Sequence, residues 1–106
     1  MAVIEIGIYK IHAGKRDEFV KLYDEELLPA QREFGFDVVG HFVSLDDEQT
    51  FVWLRRFSSR EERRRMTDEY YGGDLWRNEL GPRALPLIED YSNVIAVEPA
   101  PASAIQ

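Results

Sequence analysis

The 106-residue chain contains no cysteine, which excludes disulfide bonds, thiolate metal sites and cysteine nucleophiles. It has only two histidines, His12 and His41, whose distant positions fit none of the common zinc-site spacings. No glycine-rich loop follows a predicted strand, as a phosphate-binding site would require. We therefore expect no metal and no cofactor.

Long apolar runs and clustered positive charge are also missing. No stretch approaches the roughly 18 apolar residues that a membrane span needs, and the N-terminal residues lack the basic and apolar segments of a signal peptide. With 20 acidic and 13 basic residues, the net charge of -7 repels nucleic-acid phosphates. These absences predict a soluble, cytoplasmic protein that binds neither membrane nor nucleic acid.

What the sequence does contain is an ordered series of hydrophobic periods. Period-two alternation, typical of β-strands, occurs in four segments: 3–10, 36–45, 49–57 and 91–97. The two long gaps between them carry apolar residues at helical spacing. This order predicts an α+β fold of βαββαβ type, with helices on one face of an antiparallel four-stranded sheet. We expect residues 1–98 to form one domain and the Pro- and Ala-rich residues 99–106 to form a flexible tail.

Local signals place the ends and breaks of the two helical segments. Pro29 should kink the first segment because proline has no backbone N–H, and Gly35 should end it as a left-handed cap. Ser59 begins the second segment with a capping box, in which the Glu62 side chain is expected to reach back to the Ser59 amide. Gly72-Gly73 should interrupt that helix. Four arginines interspersed with glutamates predict a solvated helix face with weak ion pairs, and the alternative is an anion-binding patch: Arg60, Arg63, Arg64 and Arg65.

Further residues recur in a characteristic order along the chain: Glu5, Tyr9, Gly14-Lys15, Leu28-Pro29, Gly35-Phe36, Val39-Gly40, Leu54, Arg56-Phe57-Ser58 and Trp76. Through them the chain resembles the NIPSNAP family over nearly its whole length except the tail. Sequences of this type often have arginine where Gly7 stands and tryptophan where Arg55 stands. The resemblance implies a ferredoxin-like fold and a homodimer formed sheet to sheet as a dimeric α/β barrel. It implies no particular reaction, and related families include cofactor-free monooxygenases, isomerases and haem enzymes.

The two faces of the predicted sheet differ chemically. Even-numbered strand positions such as Ile4, Val52 and Leu54 are aliphatic. Odd-numbered positions carry aromatic and titratable side chains: Tyr9, His41, Phe51, Trp53, Arg55 and Phe57. Since helices cover only one face, we expect a two-fold symmetric homodimer whose interface is the aromatic face, with a ligand pocket near that interface.

Two candidate catalytic residues lie in the predicted strands. His41 is the candidate acid or base, because an ordinary histidine pKa near 6.5 lets a small shift set its charge; the alternative is a hydrogen-bonded structural histidine. Arg55, in an aromatic strand, either binds an anion or enolate or forms an ion pair with Glu5.

Five aromatic residues are the candidate ligand-binding residues: Tyr9, Trp53, Tyr70, Tyr71 and Trp76. The last three either form a lid at the Gly72-Gly73 break or pack into the core.

Three functions are compatible with these residues. The first is binding of a small apolar or aromatic metabolite without chemistry. The second is a cofactor-free monooxygenase or isomerase acting on a phenol or quinol, in which His41 takes a proton and Arg55 holds the oxyanion. The third is a purely structural dimer with a filled interface. A pocket of several hundred cubic ångströms would favour the first two.

Overall fold

The computed structural model describes residues 2–106, and its strands form one antiparallel sheet. The five strands are β1 (Val3–Ile11), β2 (Asp37–Val43), β3 (Thr50–Phe57), β4 (Ile88–Asp90) and β5 (Val94–Val97). They lie in the order β2-β3-β1, and β4 and β5 both pair with the remaining edge of β1. The predicted last strand, 91–97, is shortened to β5, and β4 is an additional strand that precedes it. At the end of β4, Asp90 accepts hydrogen bonds from the backbone N–H and hydroxyl of Ser92. The α+β sandwich is confirmed.

The helices lie on one face of this sheet and contain two π-helical turns. The first helical segment comprises α1 (Arg16–Leu22), a π turn (Tyr23–Leu27) and α2 (Leu28–Phe34). The second comprises α3 (Arg60–Gly72), a π turn (Leu75–Leu80), α4 (Gly81–Ala84) and a 3-10 turn (Leu85–Leu87). No helix within residues 2–106 combines the length and apolar character needed to cross a membrane.

Each π turn precedes a proline. The backbone N–H of Leu28 donates to the carbonyl of Tyr23, and that of Gly81 donates to the carbonyl of Trp76, five residues earlier in both cases. Pro29 and Pro82 follow directly and cannot donate. A wider turn relieves the clash between the proline ring and the preceding turn, so the kink predicted at Pro29 takes the form of a π turn in a continuous helix.

The predicted helix ends are confirmed in all but one detail. Gly35 ends α2 with a φ of 116°, a left-handed conformation that glycine adopts without steric cost. The Ser59 hydroxyl accepts a 3.1 Å hydrogen bond from the Glu62 backbone N–H, and α3 ends at Gly72. The Glu62 carboxylate does not reach back to Ser59, because it binds Arg65, one turn further along the exposed helix surface.

The prediction that the aromatic sheet face forms the dimer interface is wrong, because the helices of the same chain cover that face. Phe51 and Phe57 lie in the core, where Phe19 and Tyr23 from the first helical segment pack against Phe51. The face left uncovered is largely aliphatic. Its exposed apolar residues are Ile8, Phe42, Ile95 and Val97.

A bulge in β2 determines the direction of His41. The register between β2 and β3 shifts at Val39, after which His41 lies opposite Trp53 instead of opposite Val52. One inserted residue reverses the side of every following side chain. His41 therefore shares the face of Trp53 and Phe51, as predicted, but that face is the one that the helices cover.

Residues beyond β5 form neither helix nor strand, and the backbone carbonyl of Gln106 accepts a 2.6 Å hydrogen bond from Arg56 Nε. The flexibility of this tail stays a prediction.

Candidate functional site

A cavity of about 440 Å³ lies between the sheet and the second helical segment. Strands β1 and β3 form its floor, α3 one wall, and residues after the helix break the other. Its lining residues are Glu5, Tyr9, Trp53, Arg55, Arg63, Thr67, Tyr71, Trp76, Leu85, Ile88, Tyr91 and Val94. The cavity is thus aromatic and aliphatic except for one group of charged and hydroxyl-bearing side chains.

Helix α3 contributes three cavity residues at intervals of four: Arg63, Thr67 and Tyr71. This spacing places them on one face of the helix, above the sheet. The helix then stops at Gly72, and the chain re-enters a π turn that carries Trp76 to the mouth of the cavity. The cavity therefore lies beside the break in the second helical segment.

Glu5, Arg55 and Arg63 form an ion network at one side of the cavity. Arg55 donates to Glu5 Oε1 from Nε at 2.8 Å and from Nη2 at 2.5 Å. Arg63 Nε donates to the other carboxylate oxygen at 2.8 Å. Arg55 Nη1 also donates to the hydroxyl of Tyr71 at 2.8 Å. The Glu5 and Arg55 side chains are each 3% exposed, so the ion pair predicted between them is confirmed and is buried.

Arg55 lies among aromatic rings, with its Cζ 4.4 Å from the centroid of Phe36 and 4.3 Å from that of Trp53. These contacts place a planar cation against the negative faces of two rings. Burial alone would lower the pKa of Arg55, but the neighbouring Tyr71 and the Glu5 carboxylate raise it above its usual value. Arg55 is therefore a permanent positive charge within the site.

Two tyrosine hydroxyls of the cavity remain protonated at neutral pH. Burial raises the pKa of both Tyr9 and Tyr71, and for Tyr71 the nearby Arg55 opposes this rise without cancelling it. Because a neutral phenol retains its O–H, both side chains can donate a hydrogen bond to a ligand.

Each cavity tryptophan packs against a glycine. A Cβ at Gly7 would lie 2.0 Å from the Trp53 ring, and one at Gly81 would lie 3.3 Å from the Trp76 ring and 2.6 Å from its carbonyl oxygen. No side chain fits at Gly7 while Trp53 stays where it is. The two glycines thus set the position of the indole rings that line the cavity.

The structure brings five of the seven predicted site residues together at this cavity: Tyr9, Trp53, Arg55, Tyr71 and Trp76. His41 is not among its lining residues. Its Nε2 lies 2.7 Å from Asp24 Oδ1, and its ring contacts Tyr23 at a centroid distance of 4.8 Å. His41 and Arg55 share a sheet face but line different parts of the molecule.

Tyr70 is the second predicted residue outside the cavity lining. It packs in the core against Phe34 and Phe36, with both centroid distances at 5.2 Å. Its hydroxyl is buried and has no hydrogen-bond partner within the described residues. Of the neighbouring tyrosines, therefore, Tyr71 faces the cavity and Tyr70 faces the core.

Arg63 is a charged cavity residue that the sequence interpretation assigned to the solvated helix face. Its surrounding arginines are on the surface, and Arg65 pairs there with Glu62 and Glu69, as the predicted solvated face requires. Arg63 instead turns inward to Glu5. The signal that could have found it is its four-residue spacing from Thr67 and Tyr71.

Within residues 2–106, no three His, Cys, Asp or Glu side chains converge in the way that a metal site would need. The polar groups of the cavity are guanidinium and hydroxyl groups around a carboxylate that already has two arginine partners. Guanidinium and hydroxyl groups in such an arrangement can donate hydrogen bonds to oxygen atoms.

The fold and cavity define a ferredoxin-like α+β domain with an aromatic site between its sheet and helices. The NIPSNAP family matches residues 4–104, and the chain belongs to this family. The sequence-based resemblance is thus confirmed.

Solved structures show the same fold. The chain is similar to a NIPSNAP family protein from Agrobacterium tumefaciens, with 23% identity, a TM-score of 0.89 and complete coverage of both chains. A NIPSNAP domain protein from Burkholderia xenovorans has 22% identity and a TM-score of 0.85, over 95% of this chain and 97% of that one. An antibiotic biosynthesis monooxygenase has 19% identity and a TM-score of 0.69, over 93% of this chain and 99% of that one. No curated protein matches the chain. At these identities the likeness concerns the fold alone.

Proposed function

We propose that this protein binds a small aromatic or apolar metabolite in the cavity beside Arg55 and Tyr71. The observation that carries the proposal is the cavity itself. Its volume of about 440 Å³ lies within the range of roughly 300 to 1,000 Å³ that is typical of small-molecule sites. A mainly apolar lining with a few convergent polar groups is the usual composition of such sites.

Binding without chemistry is favoured over the enzymatic alternative by the position of His41. The proposed proton abstraction needs His41 and Arg55 at the same ligand, because a general base must come within hydrogen-bond reach of the proton that it removes. His41 binds Asp24 away from the cavity lining, whereas Arg55 lies in it. The cavity volume likewise favours a binding role over a purely structural one.

Native mass spectrometry of protein purified from its own host tests the proposal. We expect a small molecule to be retained by the wild type and lost from a Val94→Phe variant, because Val94 lines the cavity and a larger side chain there would occupy the ligand's space. Val43→Phe is the matched control, since Val43 is exposed and outside this cavity. Equal retention by both variants would place the ligand elsewhere.

We also propose that two copies associate through the uncovered face of the sheet. Exposed Ile8, Phe42, Ile95 and Val97 give this face an apolar surface that water penalises, and a second copy supplies a matching surface by two-fold symmetry. The cavity lies on the opposite, helix-covered side of the sheet. Each chain would then keep its own cavity.

Sedimentation equilibrium at micromolar concentration tests the association. We expect a dimer for the wild type and a monomer for Ile8→Glu, because the substitution brings a carboxylate into the apolar interface of each copy. Leu45→Glu is the matched control, since Leu45 is fully exposed in the hairpin between β2 and β3. A wild-type monomer, or dissociation by both variants alike, would contradict the proposed interface.

A further inference from the structure

The cavity contains hydrogen-bond donors that have no acceptor within residues 2–106. Arg63 uses Nε for Glu5, while its two Nη groups make no hydrogen bond with the described residues. Tyr71 accepts a hydrogen bond from Arg55, so its own O–H remains available. Both side chains line the cavity, and the Arg63 side chain is 34% exposed.

The charges of the site do not cancel. Arg55 and Arg63 both donate to Glu5, and each of the two carboxylate oxygens of Glu5 already has a guanidinium partner. The network therefore has one positive charge in excess, beside aromatic and aliphatic walls. A single negative charge on a ligand would balance this excess positive charge. A dianion would instead leave one unpaired negative charge in a partly buried site, which is costly.

We propose that the ligand is an aromatic or apolar monocarboxylic acid whose carboxylate binds the Nη groups of Arg63, while Tyr71 donates to an oxygen of the same ligand. The planar guanidinium matches a carboxylate by two parallel hydrogen bonds. Arg55 stays paired with Glu5 and polarises the Tyr71 hydroxyl, which makes it a stronger donor. This inference rests on the proposed function, because it names the ligand class for the same cavity.

Calorimetric titration with two probes of similar shape tests the inference. The probes are 2-naphthoate, which carries a carboxylate, and 2-naphthylmethanol, which is neutral. We expect the wild type to bind 2-naphthoate about tenfold or more tightly than 2-naphthylmethanol, in line with hydrogen bonds to charged groups. In Arg63→Gln this preference should disappear, while binding of the neutral probe changes little.

Matched controls separate the cavity residues from their neighbours. Arg64→Gln removes the same charge from the exposed side of α3 and should keep the preference. Tyr71→Phe should weaken binding of 2-naphthoate, whereas Tyr70→Phe removes a hydroxyl outside the cavity and should not. Thermal melting of all four variants shows whether each one is folded.

The outcomes distinguish this inference from the proposed function. Equal or tighter binding of 2-naphthylmethanol by the wild type would overturn the carboxylate assignment and leave the apolar binding site in place. The same preference in Arg63→Gln and in the wild type would also overturn it. If neither probe binds the wild type, both the inference and the proposed function fail for aromatic ligands of this size.

Discussion

Removing the Arg55 guanidinium should lower the free energy of unfolding by a large fraction of its total. Arg55→Met keeps an apolar stem of similar length for the contacts with Phe36 and Trp53, but it removes the charge. Glu5, which is 3% exposed, then retains only the Arg63 hydrogen bond, and the Tyr71 hydroxyl loses its donor. The substitution therefore leaves a buried carboxylate with one partner instead of two.

The magnitude follows from the burial of the pair. Breaking a buried ion pair by removing one partner costs about 3 to 5 kcal/mol, because the remaining charge is stranded. Since Arg63 still binds Glu5, we expect a loss near the lower end, about 3 kcal/mol of the free energy of unfolding. For a domain of this size such a loss corresponds to a fall in Tm of more than about 10 °C.

Urea denaturation at one fixed protein concentration measures this loss, and the fixed concentration keeps the contribution of self-association the same in all variants that associate equally. Glu5→Leu combined with Arg55→Met should be within about 1.5 kcal/mol of the wild type, because replacing both charges with apolar groups leaves no stranded carboxylate. Arg65→Met is the surface control. Its exposed pairs with Glu62 and Glu69 should contribute no more than about 1 kcal/mol together.

Two results would refute the reasoning. A loss below about 1 kcal/mol in Arg55→Met would show that the pair behaves as a surface ion pair. A double variant as unstable as Arg55→Met would show that packing of the arginine stem, and not the stranded charge, causes the loss.

Three further predictions follow from single contacts. Tyr70→Phe should raise the free energy of unfolding by about 1 kcal/mol in urea titrations, because the buried hydroxyl has no partner among the described residues; a loss of stability would contradict this. Gly7→Ala should cost about 1 to 3 kcal/mol and change the near-ultraviolet circular dichroism, since the new Cβ would lie 2.0 Å from the Trp53 ring; an unchanged spectrum would contradict it. Arg83 binds Glu26 and holds the pKa of that carboxyl below its ordinary value of 4.5, so the stabilisation is full above that value and is lost as the pH falls through the lowered pKa. The decrease in Tm caused by Glu26→Gln should therefore shrink between about pH 6 and about pH 3, and a decrease independent of pH would argue against the ion pair.

The periods of the sequence were sufficient to predict the layers of the fold, because strand alternation and helical spacing are local properties of the chain. Gly35 and Ser59 end and begin helices through their own backbone or hydroxyl chemistry, so their roles could also be predicted. The partnership of Glu5 with Arg55 followed from the cost of burying an unpaired guanidinium in an aromatic strand.

Tertiary structure alone decided which sheet face the helices cover. The period-two alternation of the strands is the same whichever face is covered, so it cannot distinguish the two. The bulge at Val39 placed the His41 side chain on the helix-covered face, and no sequence pattern in β2 indicates an inserted residue. Unlike the neighbouring arginines, Arg63 turns toward the cavity, because it binds Glu5 on a strand 58 residues away in sequence. The local sequence thus determined the elements and their ends, whereas contacts between distant segments determined which side chains meet in the cavity.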